Sequence, residues 1–265
     1  VVDLINGIIK RKIIDMDKQR FSETCDKVRN TKSKSNGIGT LGEKTLHAIL
    51  KNYFEPMEDN HEKKVGSFVA DISRESGIIE IQTRQFNKLR KKLEYFLALT
   101  DVTVVYPVAH TKWLIWIDEQ TGETTKKRKS PKNGKPYEIF YELYKIKDLL
   151  CNTRLSFCIV MLDLEEYRSL NGWSENKKKG STRYNRIPTD LVDEIYINSP
   201  SDYDKLIPKE LGQHFTSKEF MKFTGLTLSA SQTALNVLNS VGAVVRTGKQ
   251  GNRYIYERKL FSEQS

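Results

Sequence analysis

Gly66–Arg84, GSFVADISRESGIIEIQTR, constrains the fold more than any other stretch of the chain. Phe68, Val69, Ala70 and Ile72 form an apolar run interrupted by Asp71. Ser73-Arg74-Glu75-Ser76-Gly77 has the composition of a turn, and Gly77 can take positive φ. Ile78, Ile79 and Ile81 then rebuild a β-branched strand. Side chains alternate along a strand, so Glu80, Gln82 and Arg84 share one face, and Ile79, Ile81 and Thr83 the other. A hairpin of this length can place Asp71 beside Glu80. Two neighbouring carboxylates among apolar residues are costly unless positive charge sits between them. A divalent cation with oxygen ligands, Mg2+ or Mn2+, is the usual solution. In the plainer alternative, Asp71 closes its strand at the turn and Glu80 lies on a solvated edge.

The flanks bear on that choice. Thr40–Phe54 reads as a helix, with Thr40 as N-cap, Glu43 at capping-box spacing, and Leu46, Ile49, Leu50 and Tyr53 as its apolar stripe. Glu43 either caps this helix or points with the stripe toward a sheet. Gln85–Leu99 reads as a second helix with Phe86, Leu89, Leu93, Phe96 and Leu97 inward and Lys88, Arg90, Lys91 and Lys92 on its other faces. A further short strand is expected between Phe54 and Lys64. Val102–Val108, Trp113–Asp118 and Leu155–Leu164 read as strands, the first apolar enough to be covered on both faces. Thr31–Gly39, Thr125–Lys135 and Asn171–Arg186 read as linker and basic loops.

The last sixty or so residues change character. A helix is expected at Lys218–Phe223, a turn at Thr224–Leu228, a second helix at Ser229–Val241, and a hairpin from Ala243–Arg246 and Tyr254–Glu257. Helix, turn, helix and basic two-stranded wing is the winged-helix plan. Ser231, Gln232, Thr233 and Asn236 are placed to read base edges, and Arg246, Lys249 and Arg253 to hold phosphates.

A net charge of +10 over 265 residues favours a polyanionic partner, nucleic acid before membrane. No apolar run reaches the roughly 18–20 residues of a membrane span. No secretory signal is read at the N-terminus, and the three cysteines Cys25, Cys151 and Cys158 lack metal-ligand spacing, so a reduced, cytoplasmic protein is expected.

Residues 40–108 thus run helix, strand with Asp71, strand with Glu80-Ile81-Gln82, helix, strand. This order resembles the αβββαβ core of the PD-(D/E)XK, or restriction-endonuclease-like, nuclease superfamily. The resemblance implies an α/β (α+β) fold with a mixed central sheet, followed by a small C-terminal winged helix that itself resembles DNA-binding domains of that type. The expected division is residues 1–200 for the nuclease-like domain, with its core at about 40–118, and 201–265 for the winged helix. By the resemblance Glu43, Asp71, Glu80 and Gln82 are the catalytic set, and Asp71, Glu80 and the Ile81 carbonyl hold Mg2+ or Mn2+. Arg84 and Lys88 face the phosphate. The chain departs from the family at Gln82, where Lys is usual.

The expected activity is metal-dependent hydrolysis of phosphodiester bonds in double-stranded DNA. The alternatives are a nuclease-like DNA-binding protein without turnover and a protein-interaction scaffold. No membrane partner is expected, and a homodimer stays open.

Overall fold

The computed structural model describes residues 17–35, 44–118, 120–169 and 182–259. Glu43, the Thr40 cap, residues 1–16 and the middle of the basic loop at 171–181 lie outside the described residues. The chain is a mixed α/β protein. It runs α1 (Lys18–Ser35), α2 (Lys44–Phe54), β1 (His61–Val65), β2 (Phe68–Arg74), β3 (Gly77–Ile81), α3 (Phe86–Leu99), β4 (Val102–Ile117) and β5 (Arg128–Lys129). Then come α4 (Phe140–Leu143), β6 (Leu155–Ser169), β7 (Thr182–Ile197), β8 (His214–Thr216), α5 (Ser217–Thr224), α6 (Leu228–Ser240), β9 (Val244–Gln250) and β10 (Arg253–Arg258). Short 3-10 turns flank α4 at Pro136–Ile139 and Tyr144–Leu149 and precede β8 at Pro200–Leu206. The large sheet has strand order β1-β2-β3-β4-β6-β7, with β5 on β4, and a three-stranded sheet has order β8-β10-β9. The large sheet is mixed: β1 and β2 are antiparallel, whereas β3 and β4 are parallel.

Two compact units divide the chain out of sequence order. One comprises residues 1–77, 109–134 and 161–194, the other 78–108, 135–160 and 195–265. In the first, α1 packs on α2 through an edge-on contact of Phe21 and Tyr53 at 5.3 Å. Arg20 donates to the Tyr53 carbonyl, and the Tyr53 hydroxyl accepts from Asp17 N–H at 3.1 Å. Leu46, Ile49, Leu50 and Tyr53 are buried, the stripe the 3.6-residue period demands. Gly66 takes φ 61° in the turn that lets β1 pair back on β2, a region that favours glycine.

In the second unit, β3 is buried along its whole length and pairs Ile78–Ile81 with Val102–Val105. Phe86, Leu89, Leu93, Phe96 and Leu97 of α3 are buried as their spacing requires, and Phe86 stacks on Phe157 at 6.4 Å. The C-terminal segment packs in this same unit. Phe220 of α5 lies 6.4 Å from Tyr137 and 6.5 Å from Phe140, and Lys135 Nζ donates to the Thr224 carbonyl at 2.7 Å. Residues 201–265 therefore share their core with residues 135–150. Phe223 is 39% exposed.

Several boundaries differ from the sequence reading. Thr31–Ser35 continues α1 instead of forming a linker. Val102–Val108 and Trp113–Asp118 are parts of one sixteen-residue strand, and β6 extends to Ser169. Thr182–Arg186, read as loop, begins β7.

Candidate functional site

β2 carries Asp71 half-buried, alternating with Ala70 and Ile72, both fully buried. β3 carries Glu80, a carboxylate at 2% exposure in a strand otherwise made of Gly and Ile. A buried carboxylate needs a compensating charge. It finds one in Lys92 of α3, whose Nζ lies 2.5 Å from Glu80 Oε2. Lys92 also sits 5.7 Å from the Phe96 ring centroid, its stem running along the apolar stripe of its own helix. Sequence reasoning weighed Arg84 and Lys88 as the cations here, and both are exposed. It passed over Lys92. The signal was Lys92's position one turn before buried Phe96, on the flank of the buried stripe.

Gln82 follows the strand. Its backbone N–H donates to Val105 O at 2.9 Å, and its side-chain amide donates to Arg84 O at 2.5 Å. Gln85 then adopts φ 64° and ψ 46°, left-handed backbone in a non-glycine residue, at the N-cap of α3. The helix start is held from elsewhere: Phe86 N–H donates to buried Glu142 Oε2 at 2.8 Å. Among the described residues no group of three His, Cys, Asp or Glu side chains has a metal-holding arrangement. Carboxylates such as those of Asp71 and Glu80, and a backbone carbonyl such as that of Ile81, are donor types that hard cations take. A cation at Glu80 would share that carboxylate with Lys92.

The C-terminal segment forms a second candidate surface. Thr216 and Glu219 make a reciprocal cap at the start of α5, with Glu219 Oε2 accepting from Thr216 N at 2.7 Å and from its hydroxyl at 2.8 Å. Gly225 ends α5 at φ 70°. Thr227 caps α6 by accepting from Ala230 N–H. Between α6 and the β9–β10 hairpin lies an open groove lined by Lys218, Leu228, Gln232, Asn252, Arg253 and Tyr254, among others. Arg246, Lys249 and Arg253 are exposed on the hairpin. Arg246 stacks over Tyr254 at 4.4 Å, and Lys249 lies 5.0 Å from the same ring.

The structure revises the base-reading set. Ser231 is fully buried, its hydroxyl has no hydrogen-bond partner among the described residues, and it does not line the groove. Asn236 accepts from Lys147 Nζ at 3.0 Å, an internal contact. Thr233 spends its hydroxyl proton on Ser229 O one turn back. Gln232 remains exposed in the groove.

A family model described as "Domain of unknown function (DUF8091)" matches residues 44–198, more than half of the chain. The chain belongs to the DUF8091 family. The matched segment holds Asp71, Glu80, Gln82 and Lys92, and the C-terminal helices and wing lie beyond it. An "Uncharacterized protein" of Treponema pallidum (strain Nichols) is 29% identical over 229 residues, covering 84% of this chain and 88% of that protein. No solved structure matches this DUF8091 chain.

Proposed function

We propose that the protein is a metal-dependent endonuclease acting on double-stranded DNA, with a winged-helix segment that receives the duplex. The observation that carries this reading is Glu80, a buried carboxylate on a central strand, answered by one ammonium and followed by Gln82 on the same face. A buried, charge-paired carboxylate is uncommon, and reactive sites are one place where such groups are kept. The element order α2-β1-β2-β3-α3-β4, with β3 and β4 parallel, supports the resemblance to the restriction-endonuclease-like core. The β8-β10-β9 sheet beside α5 and α6 supports the winged-helix part.

Asp71, Glu80 and the Ile81 carbonyl would hold the cation, which when bound supplies a Lewis acid and a more acidic water. Gln82 orients the attacking water by hydrogen bonding. Lys92 takes the place of the lysine that the resembled family carries at Gln82, setting a positive charge beside Glu80 for the charge that develops on phosphate. Glu43 would contribute a further carboxylate, and Arg84 and Lys88 would face the backbone. Gln232 reads from the groove, while Arg246, Lys249 and Arg253 hold phosphates.

The ion pair itself favours a second reading, a DNA-binding protein without turnover. An ammonium 2.5 Å from Glu80 already neutralises the carboxylate as a metal would. A plasmid-nicking assay with Mg2+ and with Mn2+ separates the two. Nicking by the parent that is lost in Asp71→Ala and Glu80→Ala supports the enzyme. Equal nicking by parent and Glu80→Ala sinks it, and absence of nicking with retained DNA binding supports the second reading.

A further inference from the structure

Glu166 of β6 is fully buried, and its carboxylate gathers cations from three strands. Arg168 donates to Oε1 through Nε at 2.8 Å and Nη2 at 2.5 Å. Around Oε2 lie Arg186 Nε at 3.2 Å, Arg183 Nε at 3.5 Å and Lys112 Nζ at 3.6 Å. Burial alone would raise the Glu166 carboxyl, but Lys112, Arg168 and Arg186 outweigh it and hold it below the ordinary glutamate value. The surplus shows from the other side too. Burial lowers the Lys112 ammonium, Glu166 opposes this, and crowding by Arg186, Arg168 and Arg183 adds to it.

Neighbouring acids are engaged elsewhere. Glu165 meets Lys127 Nζ at 3.5 Å and the Tyr167 hydroxyl at 3.0 Å. Asp163 meets His110 Nδ1 at 2.9 Å and Thr111 N–H at 2.8 Å. Even leaving Arg183 aside, three cations meet one carboxylate among the described residues. A structural ion pair gains nothing from such excess, because each further desolvated cation adds cost without a partner. Each guanidinium carries about five N–H donors in a planar fork, and one carboxylate accepts about four bonds. Among the described residues, donors are therefore left over on Arg168 and Arg186, which Glu166 has already oriented, and their side chains are still 26% and 19% exposed. Tetrahedral phosphate suits such forks. The basic strand β5 continues the positive surface: Lys129 pairs with Trp113, next to Lys112, and Arg128 with Leu114. Repeating charge of this kind suits a repeating anion better than a single one.

We infer that Lys112, Arg168, Arg183 and Arg186, ordered by Glu166, bind phosphodiester groups of a nucleic-acid backbone at a site separate from the C-terminal wing. The inference rests on the nucleic-acid part of the proposed function. The test measures binding of a labelled DNA duplex by full-length parent, Arg186→Gln, Arg168→Gln and a wing variant, Arg246→Ala with Lys249→Ala, across a salt series. Thermal melting checks that each is folded, and Arg183→Gln, the most exposed of the arginines, serves if an inner variant is not. Arg186→Gln should weaken binding by about tenfold and lower the salt slope by about one. Arg186→Lys should keep the slope, since it keeps the charge. Folded arginine variants with parental affinity and slope, beside a weakened wing variant, overturn this site and leave the proposed function standing. A parent that binds no duplex at low salt overturns both. A parent whose melting rises with millimolar ATP, an effect lost in Arg186→Gln without change in DNA binding, would reassign the site to a free phosphate group and overturn the backbone assignment.

Discussion

Lys92 Nζ stands 2.5 Å from Glu80 Oε2, joining the third helix to the central strand through one charge pair. Glu80 is almost wholly buried, while Lys92 keeps part of its surface in water. Removing Lys92 takes from the buried carboxylate the ammonium that pairs with it. Lys92→Met should cost about 2–3 kcal/mol, less than for a fully buried pair because Lys92 is partly solvated. Adding Glu80→Gln should restore much of it. Urea unfolding of the two single variants and the double variant measures the coupling, and additive costs would mean the pair contributes nothing of its own.

Turnover should respond to the same residues differently. Glu80→Ala should lose Mg2+ affinity and nicking together, since a hard cation loses a carboxylate ligand. Gln82→Lys should keep nicking or raise it. Isothermal titration with Mg2+, read beside the nicking assay, checks this. Metal binding that survives Glu80→Ala would place the cation elsewhere.

Acid should unfold the protein in part through Glu166. Its carboxyl is held below the ordinary glutamate value of 4.5 in the fold, so its stabilisation is present above that pH. It is lost as pH falls from there through the depressed folded value. Glu166→Gln leaves the cations facing no carboxylate and should lower the melting temperature at pH 7. The gap between variant and parent should narrow as pH falls below 4.5. Melting curves from pH 3 to 8 decide it; a gap independent of pH would make the loss steric.

The C-terminal segment should not stand alone. Phe220 shares its core with Tyr137 and Phe140, outside a fragment that starts at Ser201. Phe140→Ala in the full chain should cost about 3–5 kcal/mol. The fragment 201–265 should melt without cooperativity and bind a hydrophobic dye. A sharp, dye-free melt would show that it carries a complete core.

Gly225 offers a smaller test. A Cβ there would meet Lys135 Nζ at 2.6 Å, and the backbone is left-handed at φ 70°. Because a flexible side-chain end can move aside, Gly225→Ala should cost about 1–2 kcal/mol, mostly from the backbone. Chemical denaturation beside Lys135→Met separates the two contributions.

Local pattern carried the sequence reading where each segment contains its own signal. The stripes of α2 and α3, the turns around β2 and the helix-turn-helix-hairpin order at the C-terminus are all of this kind. It failed where partners are distant. His110 and Lys112 look like a break between two strands, yet they lie within β4, answered by Asp163 and Glu166 about fifty residues on. Arg183 and Arg186 read as loop for the same reason, because their carboxylate is on another strand. Composition also misled at Thr31–Ser35, where Ser and Lys content suggests a linker and the helix simply continues. At the candidate site, Asp71 and Glu80 were visible as carboxylates in apolar strands. Lys92 was passed over, since its place on the flank of the buried stripe hints that it turns inward but not which strand it will meet. The burial of Ser231 and the Lys147 contact of Asn236 were not legible, because helical position alone does not say which side neighbouring elements cover.

Glu142 caps the third helix across more than fifty residues of sequence, and Lys92 sits about 9 Å further along that helix. The lysine's depth is therefore written partly at position 142. A change at Glu142 should therefore be felt at the Lys92–Glu80 pair, although the two positions are far apart in sequence. Relatives that vary one of the two should carry compensating changes at the other.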